Sequence, residues 1–158
     1  MSEQHLSRAA YDRLAAELED LSTRGRIEVA NKIETARLLG DLSENGDYHA
    51  AKDEQGHMEG RIRQLEYLVE SAVIVEAAAD GTVGLGSVVT VLFDGDPEDE
   101  AQRYLIGHIE EQNPDHEVMS DKSPLGAALM GHAAGEVVTY AAPSGAQLKV
   151  KVVDVELP

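Results

Sequence analysis

From Tyr48 to Ala72 the chain places an apolar or neutral residue at every third or fourth position: Tyr48, Ala51, Gln55, Met58, Ile62, Leu65, Val69 and Ala72. This is the a/d rhythm of a coiled coil, and a helix with one such seam must bury it against another helix. The preceding segment offers a partner stripe in Leu14, Leu18 and Leu21, then Ile27, Ala30 and Ile33. Its phase slips near Gly25, where a glycine in a helical run eases the change. The pattern predicts a first helix from about Ser7 to Leu39, a rod of roughly 50 Å at ~1.5 Å per residue. Gly40 fits the left-handed position that ends a helix, and a connection of a few residues forces the next helix to return antiparallel. Residues 40–47 then form the point of a long helical hairpin.

That point is acidic. Gly40-Asp41-Leu42-Ser43-Glu44-Asn45-Gly46-Asp47-Tyr48 sets three carboxylates close together. Local capping accounts for two of them: Asp41 as N-cap of the second helix, Glu44 as its capping-box partner, both favoured by the positive end of the helix dipole. Capping requires neither a third acid at Asp47, nor an apolar Leu42 in the turn, nor presentation on a long rod. Asp47, in the first turn, also reads as a dipole-favoured surface acid.

Charge limits the partners. With 13 basic against 30 acidic residues the formal charge is −17, so counterion release cannot drive strong independent binding to nucleic acid. Residues 1–76 hold 9 basic and 16 acidic side chains, residues 77–158 hold 4 and 14, so the few cations concentrate on the hairpin. Arg37 and Lys52 flank the tip, and their residue types alone favour solvated helix charges pairing with acids three or four positions away. The absence of cysteine excludes disulfides and thiolate metal sites and fits a reducing cytoplasm. No apolar run of ~18 residues suggests a membrane span, and the first residues lack the basic start and apolar core of a secretory signal. A cytoplasmic location is expected. The six histidines, at 5, 49, 57, 108, 116 and 132, show no paired spacing suggestive of zinc. His49 reads as a solvated helix position.

After Ala77-Ala78-Ala79-Asp80-Gly81 the helical period gives way to short strand patterns, so a linker at 77–81 is expected to separate a hairpin domain, 1–76, from a sheet domain, 82–158. Strands are predicted near Ser87 to Phe93, Arg103 to Ile109, Val137 to Tyr140 and Gln147 to Val155, with an acidic loop from Asp94 to Glu100 and a hairpin turn at Pro143-Ser144-Gly145. Ser123 before Pro124 reads as N-cap and first helical residue, with Gly131 ending a helix of about two turns. A cap explains Ser123, and no triad pattern surrounds it. Gly84-Leu85-Gly86 precedes a strand instead of opening a helix, which argues against a nucleotide site. The class is α+β, a helical hairpin followed by a small sheet-plus-helix domain.

The block GDLSENGDYHAAKDEQGHMEGRIRQLE, Gly40 to Glu66, resembles the signature of the bacterial Gre transcript cleavage factors, the GreA branch more than GreB. Thr35-Ala36-Arg37 before it, Ser71-Ala72-Val73-Ile74 closing the second helix, and Ser123-Pro124-Leu125-Gly126 extend the likeness over most of the chain. The resemblance implies an antiparallel coiled coil followed by an FKBP-like domain. By that likeness the sheet domain docks on bacterial RNA polymerase while the coiled coil enters its secondary channel in backtracked complexes. There the tip promotes hydrolysis of the extruded nascent RNA 3′ segment, which rescues arrested complexes. Asp41 and Glu44 match the family's two essential acids; Arg37 and Lys52 fall where basic residues approach the displaced RNA; Ser123, Pro124, Leu125 and Gly126 become candidates for polymerase docking. Arg24-Gly25-Arg26 stands where many relatives have Arg-Pro, and Ser43 where some have Lys.

The implied chemistry is that of a two-metal site, in which one ion activates water and another stabilises the leaving oxygen. Mg²⁺ is usually held by one or two carboxylates plus phosphate oxygens, so this tip is expected to hold it only jointly with the polymerase. Asp41 is assigned to direct ligation, and Glu44 to contact through a water of the ion's shell or to orienting the attacking water. The protein is then an accessory factor, not itself an enzyme, expected to be monomeric with weak or no independent nucleic-acid binding. Prolyl isomerase activity is not implied, since the sheet domain offers only Phe93, Tyr104 and Tyr140 to line a pocket. The alternatives are a Gre-fold inhibitor occupying the same channel without stimulating cleavage, and a coiled-coil scaffold unrelated to transcription.

Overall fold

The computed structural model describes residues 2–158. In chain order the elements are strand β1 (Gln4–Leu6), helix α1 (Arg8–Asp20), a π-helical turn (Leu21–Gly25), α2 (Arg26–Arg37), a 3-10 turn (Leu42–Glu44), α3 (Gly46–Glu70) and β2 (Ala72–Ile74). The second half contains β3 (Val88–Phe93), β4 (Gln102–Gly107), β5 (Glu117–Ser120), α4 (Pro124–Leu129), β6 (Val137–Ala141) and β7 (Gln147–Glu156). This is the expected α+β arrangement of a helical hairpin followed by a sheet with one short helix. Among the described residues no helix is long and apolar enough to cross a membrane.

Two compact units divide the chain, one of residues 11–72 with Ser2, the other of residues 3–10 and 73–158. Residues 3–10 and 73–76, which the sequence assigns to the hairpin, therefore pack with the sheet unit. β1 and β2 pair with each other in a two-stranded sheet, extended by the Val75 N–H donating to the Leu6 carbonyl at 2.9 Å, and the Ser7 N–H and hydroxyl tie the first segment to the Glu111 carboxylate at 2.8 and 2.7 Å. The second helix accordingly stops at Glu70, and Ala72–Ile74, expected to close it, is a strand.

In the helical unit the phase slip near Gly25 is real, but it takes a different form from the one predicted. The helix does not run unbroken from Ser7 to Leu39; one π turn interrupts it, and helical geometry ends at Arg37. A π turn inserts a residue into the ladder and rotates everything after it. As a result Val29, Ile33 and Ala36 face inward, whereas Ile27 and Ala30 are exposed. Gly25 sits on the inner side, where an added Cβ would lie 3.0 Å from the Met58 sulfur. The hydroxyls of Ser22 and Thr23 bond the carbonyls of Leu18 and Glu19, each at 2.6 Å, taking up acceptors around the irregular turn. On α3 the buried positions are Ala51, Ile62, Leu65 and Leu68; Leu68 takes the place expected of Val69. Ion pairs cross the seam from Arg26 to Glu59, Lys32 to Glu54 and Arg61 to Glu17.

The sheet unit is built on five strands in the order β5-β4-β3-β7-β6. All neighbours are antiparallel except β4 and β5, which run parallel, and a bulge at Thr90/Val91 interrupts the β3–β7 register. Val89, Val91, Ile106, Val138, Val150 and Val152 pack with Leu125 and Leu129 of α4 to form the core. The four strands predicted from alternation are present; β5 was not foreseen. The Pro143-Ser144-Gly145 turn joins β6 to β7, closed by Ala142 N–H to the Ala146 carbonyl at 2.8 Å.

Candidate functional site

The point of the hairpin is shaped by three short-range constraints. Gly40 adopts φ +125°, a conformation disfavoured for residues carrying a Cβ, which turns the chain out of α2. Asp41 then caps the 3-10 turn: its Oδ1 accepts from the Ser43 N–H at 2.9 Å and from the Ser43 hydroxyl at 2.8 Å. These donors hold the Asp41 carboxyl below its ordinary pKa, the backbone N–H contributing most, so the group is anionic throughout the neutral range. Asn45 caps the long helix itself, its Oδ1 accepting from Tyr48 N–H at 3.0 Å.

The capping account of the acids is thereby narrowed. Asp41 is not the N-cap of α3, and Glu44 is not its capping-box partner. The helix proper starts at Gly46 with Asn45 in the capping position, while Asp41 serves only a three-residue turn. The Glu44 carboxylate is exposed and makes no hydrogen bond or ion pair among the described residues. Asp47 lies in the first turn of α3, consistent with a dipole-favoured acid. Asp41, Glu44 and Asp47 line one shallow depression with Leu39, Asn45 and Gly46. The tip thus presents one carboxylate oriented by its neighbour and another without an internal partner.

Asn45 is a residue that sequence reading missed. Besides capping α3, its amide donates to the Ala36 carbonyl at 2.6 Å and so ties the end of α2 to the start of α3. Asn45→Asp keeps the cap acceptor but loses this donor, and is expected to cost about 1 kcal/mol. Asn45→Ala loses both, for about 2 kcal/mol. Chemical denaturation of the full chain measures the difference; equal stability of the Asp variant and the parent would show that the bond to Ala36 contributes nothing.

Arg37 and Lys52 are both exposed. Lys52 donates to Gln55 Oε1 at 2.9 Å, and neither cation forms an ion pair among the described residues. Arg24, Arg26, Lys32 and Arg61, farther from the point, are all paired with carboxylates. The Arg37 guanidinium instead lies over the Tyr48 ring, 6.0 Å from its centroid, and His49 meets that ring edge-on at 5.7 Å. Tyr48 was read as a seam residue; its contact with Arg37 crosses the turn between two helices. Leu38 and Leu39, 79% and 65% exposed, form an apolar shoulder beside the acids.

Ser123-Pro124-Leu125-Gly126 is built into the sheet unit. Ser123 caps α4 by accepting from Gly126 N–H at 3.1 Å, while its hydroxyl donates to the Ser120 carbonyl at 2.6 Å. Leu125 and Gly126 are buried, and a Cβ on Gly126 would overlap the Ser120 carbonyl oxygen and lie 2.8 Å from Ser123 Oγ. Of the four, only Pro124 is exposed. It borders a groove shared with Tyr104, Met119 and Tyr140. Burial, followed by the nearby Glu117 and Tyr140, raises the Tyr104 pKa.

Among the described residues, no group of three or more His, Cys, Asp or Glu side chains is arranged to hold a metal ion. Two tip carboxylates suit a hard divalent cation as a partial shell, with its remaining ligands supplied from elsewhere.

Residues 4–74 match the family model described as "Transcription elongation factor, N-terminal", and residues 78–157 match "Transcription elongation factor, GreA/GreB, C-term". The chain is 47% identical to transcription elongation factor GreA of Streptomyces coelicolor over 96% of its own length and 92% of the relative's. It is 49% identical to that of Streptomyces avermitilis, with the same coverage. Against GreA of Mycolicibacterium smegmatis it is 46% identical, over 96% and 93% of the two chains. Among solved structures, GreA factor homolog 1 of Thermus thermophilus is 31% identical, covering 98% of this chain and 99% of that one, with a TM-score of 0.43. With both halves matched and near-complete relatives well above 40% identity, the chain belongs to the GreA/GreB family of transcription elongation factors.

Proposed function

We propose that this elongation factor enters the secondary channel of bacterial RNA polymerase in backtracked complexes and stimulates Mg²⁺-dependent cleavage of the extruded RNA 3′ end. The observation that carries the reading is the tip: Asp41 Oδ1 is held by Ser43, while Glu44 has no internal partner at the point of a two-helix hairpin. Carboxylates left exposed in this way are available to a centre provided by another molecule. The apolar shoulder of Leu38 and Leu39 suits a protein-lined cavity better than water.

Asp41 and Glu44 would hold Mg²⁺ jointly with the polymerase. When bound, the ion supplies Lewis-acid activation of water and stabilises the leaving oxygen. Asp41 reaches this centre already anionic and oriented, which lowers the cost of fixing it there. Glu44 orients the attacking water or supports the second ion's shell. Arg37 and Lys52, free of carboxylate partners among the described residues, meet the displaced RNA, and the sheet unit docks on the polymerase through the exposed side of the Pro124 groove. The high negative charge leaves RNA contact to the assembled complex.

The test is RNA cleavage in stalled, backtracked complexes with and without the protein, beside labelled RNA incubated with Mg²⁺ and protein alone. Acceleration is expected only with polymerase present. Hydrolysis surviving nuclease removal in the polymerase-free arm would make the protein an independent nuclease. Polymerase binding without acceleration would make it a channel inhibitor.

A further inference from the structure

We infer that Tyr48 is a positioning residue that presents the Arg37 guanidinium as a stacking surface for an unpaired base of the displaced RNA. The inference rests on the polymerase reading above and specifies how RNA is met beside the acidic tip.

Arg37 is surrounded by opportunities that it does not use. Glu34 lies three residues before it and Asp41 four residues after, yet neither pairs with it, and its guanidinium makes no hydrogen bond among the described residues. It rests over the Tyr48 ring at 6.0 Å. Tyr48 itself is half-buried, and its backbone is fixed by the Asn45 cap. His49 covers the ring from the edge. The guanidinium carbon thus lies within cation–π range of an aromatic ring held by its neighbours, and its N–H donors remain uncommitted.

A planar cation so held has two uses that a lysine lacks: it stacks on a nucleobase while its in-plane N–H groups meet phosphate or base edges. Unpaired RNA is the ligand that displays both. Bases in a duplex are already stacked, whereas an extruded 3′ end has free π-faces, and base stacking tolerates any sequence. Ring contact with Tyr48 restrains the guanidinium before RNA arrives, which reduces the ordering cost on binding. Lys52, bonded only to Gln55, supplies charge without a stacking plane.

The experiment uses complexes assembled on synthetic RNA whose extruded 3′ nucleotide either carries its base or is abasic. Cleavage rate is measured against concentration of the full-length factor. For the parent protein, the concentration giving half-maximal stimulation is expected to be at least about fivefold higher with abasic RNA, on the scale of one stacking contact. Arg37→Lys, which keeps the charge, is expected to abolish that difference. Tyr48→Leu should shrink it by about two- to fivefold, the scale of an exposed cation–π contact, with the rate at saturation nearly unchanged. Tyr48→Phe should restore it, because the ring and not the hydroxyl faces Arg37. A merely structural role for Tyr48 would lower stimulation equally on both RNAs, and Tyr48→Leu retaining the full base dependence would overturn the inference. Absence of stimulation by the parent protein would instead overturn the polymerase reading itself.

Discussion

Asp41→Asn is expected to fold like the parent, occupy polymerase, and lose cleavage stimulation on the order of 10²-fold, since an ion's stabilisation of the transition state is worth several kcal/mol. Asparagine retains an oxygen that can accept from the Ser43 N–H, so the cap on the 3-10 turn survives. What it lacks is the anionic oxygen needed by Mg²⁺. The structure makes this contrast cleaner than the sequence did, because α3 is capped by Asn45 and does not depend on Asp41. Glu44→Gln should behave alike: its carboxylate takes part in no internal bond, so stability has nothing to lose there. The measurement is cleavage rate against Mg²⁺ concentration at saturating factor, with thermal melting as the folding control. A near-normal rate for Asp41→Asn at limiting Mg²⁺ would return this residue to a purely local role in the turn.

The second large effect concerns folding. Gly126→Ala places a methyl group onto the Ser120 carbonyl, which already accepts from Ser123 N–H at 3.1 Å and from the Ser123 hydroxyl at 2.6 Å. Backbone cannot yield there as a flexible side chain would, so α4 must move away from β5 and disturb the packing of Leu125 and Leu129. Overpacking of this kind costs about 3 kcal/mol, and in a unit of this size that lowers the melting temperature by roughly 10–20 °C. Pro124→Glu, at an exposed first-turn position, should leave melting within about 1 kcal/mol of the parent. If the exposed side of this motif docks on polymerase, Pro124→Glu weakens binding in a folded protein, whereas Gly126→Ala weakens it only through unfolding. Calorimetry of the full chain, paired with polymerase binding, separates the two; a Gly126→Ala protein melting with the parent would refute the close approach.

These expectations mark where the sequence was legible. Periodicity is a local signal, and it located the helical hairpin, the four strands near Val88, Gln102, Val137 and Gln147, and the Ser123-Pro124 helix start, because each is encoded by residues adjacent to one another. The acidic point and the family likeness were also readable from contiguous residues, and both family models match. Strands β1, β2 and β5 were not legible: each has three or four residues, too few for a pattern, and exists because a distant segment completes its hydrogen bonds.

Packing decided the rest. The direction of the phase slip depended on whether the helix resumed one residue early or late after Gly25, and the π turn at Leu21–Gly25 set it, with Val29 inward and Ile27 to solvent. Capping propensity ranks Asp, Asn and Ser nearly alike, so sequence could not choose between Asp41 and Asn45. Tertiary geometry chose Asn45, the residue whose amide also reaches the Ala36 carbonyl across the turn. That choice released the tip acids from capping α3. Arg37 likewise had carboxylates at pairing distance along the sequence, and only the return of α3 put Tyr48 beneath it. The sequence by itself determined which residues stand at the point of the hairpin; the folded structure determined which of them are committed to holding it together, because that depends on atoms brought close from opposite sides of the turn.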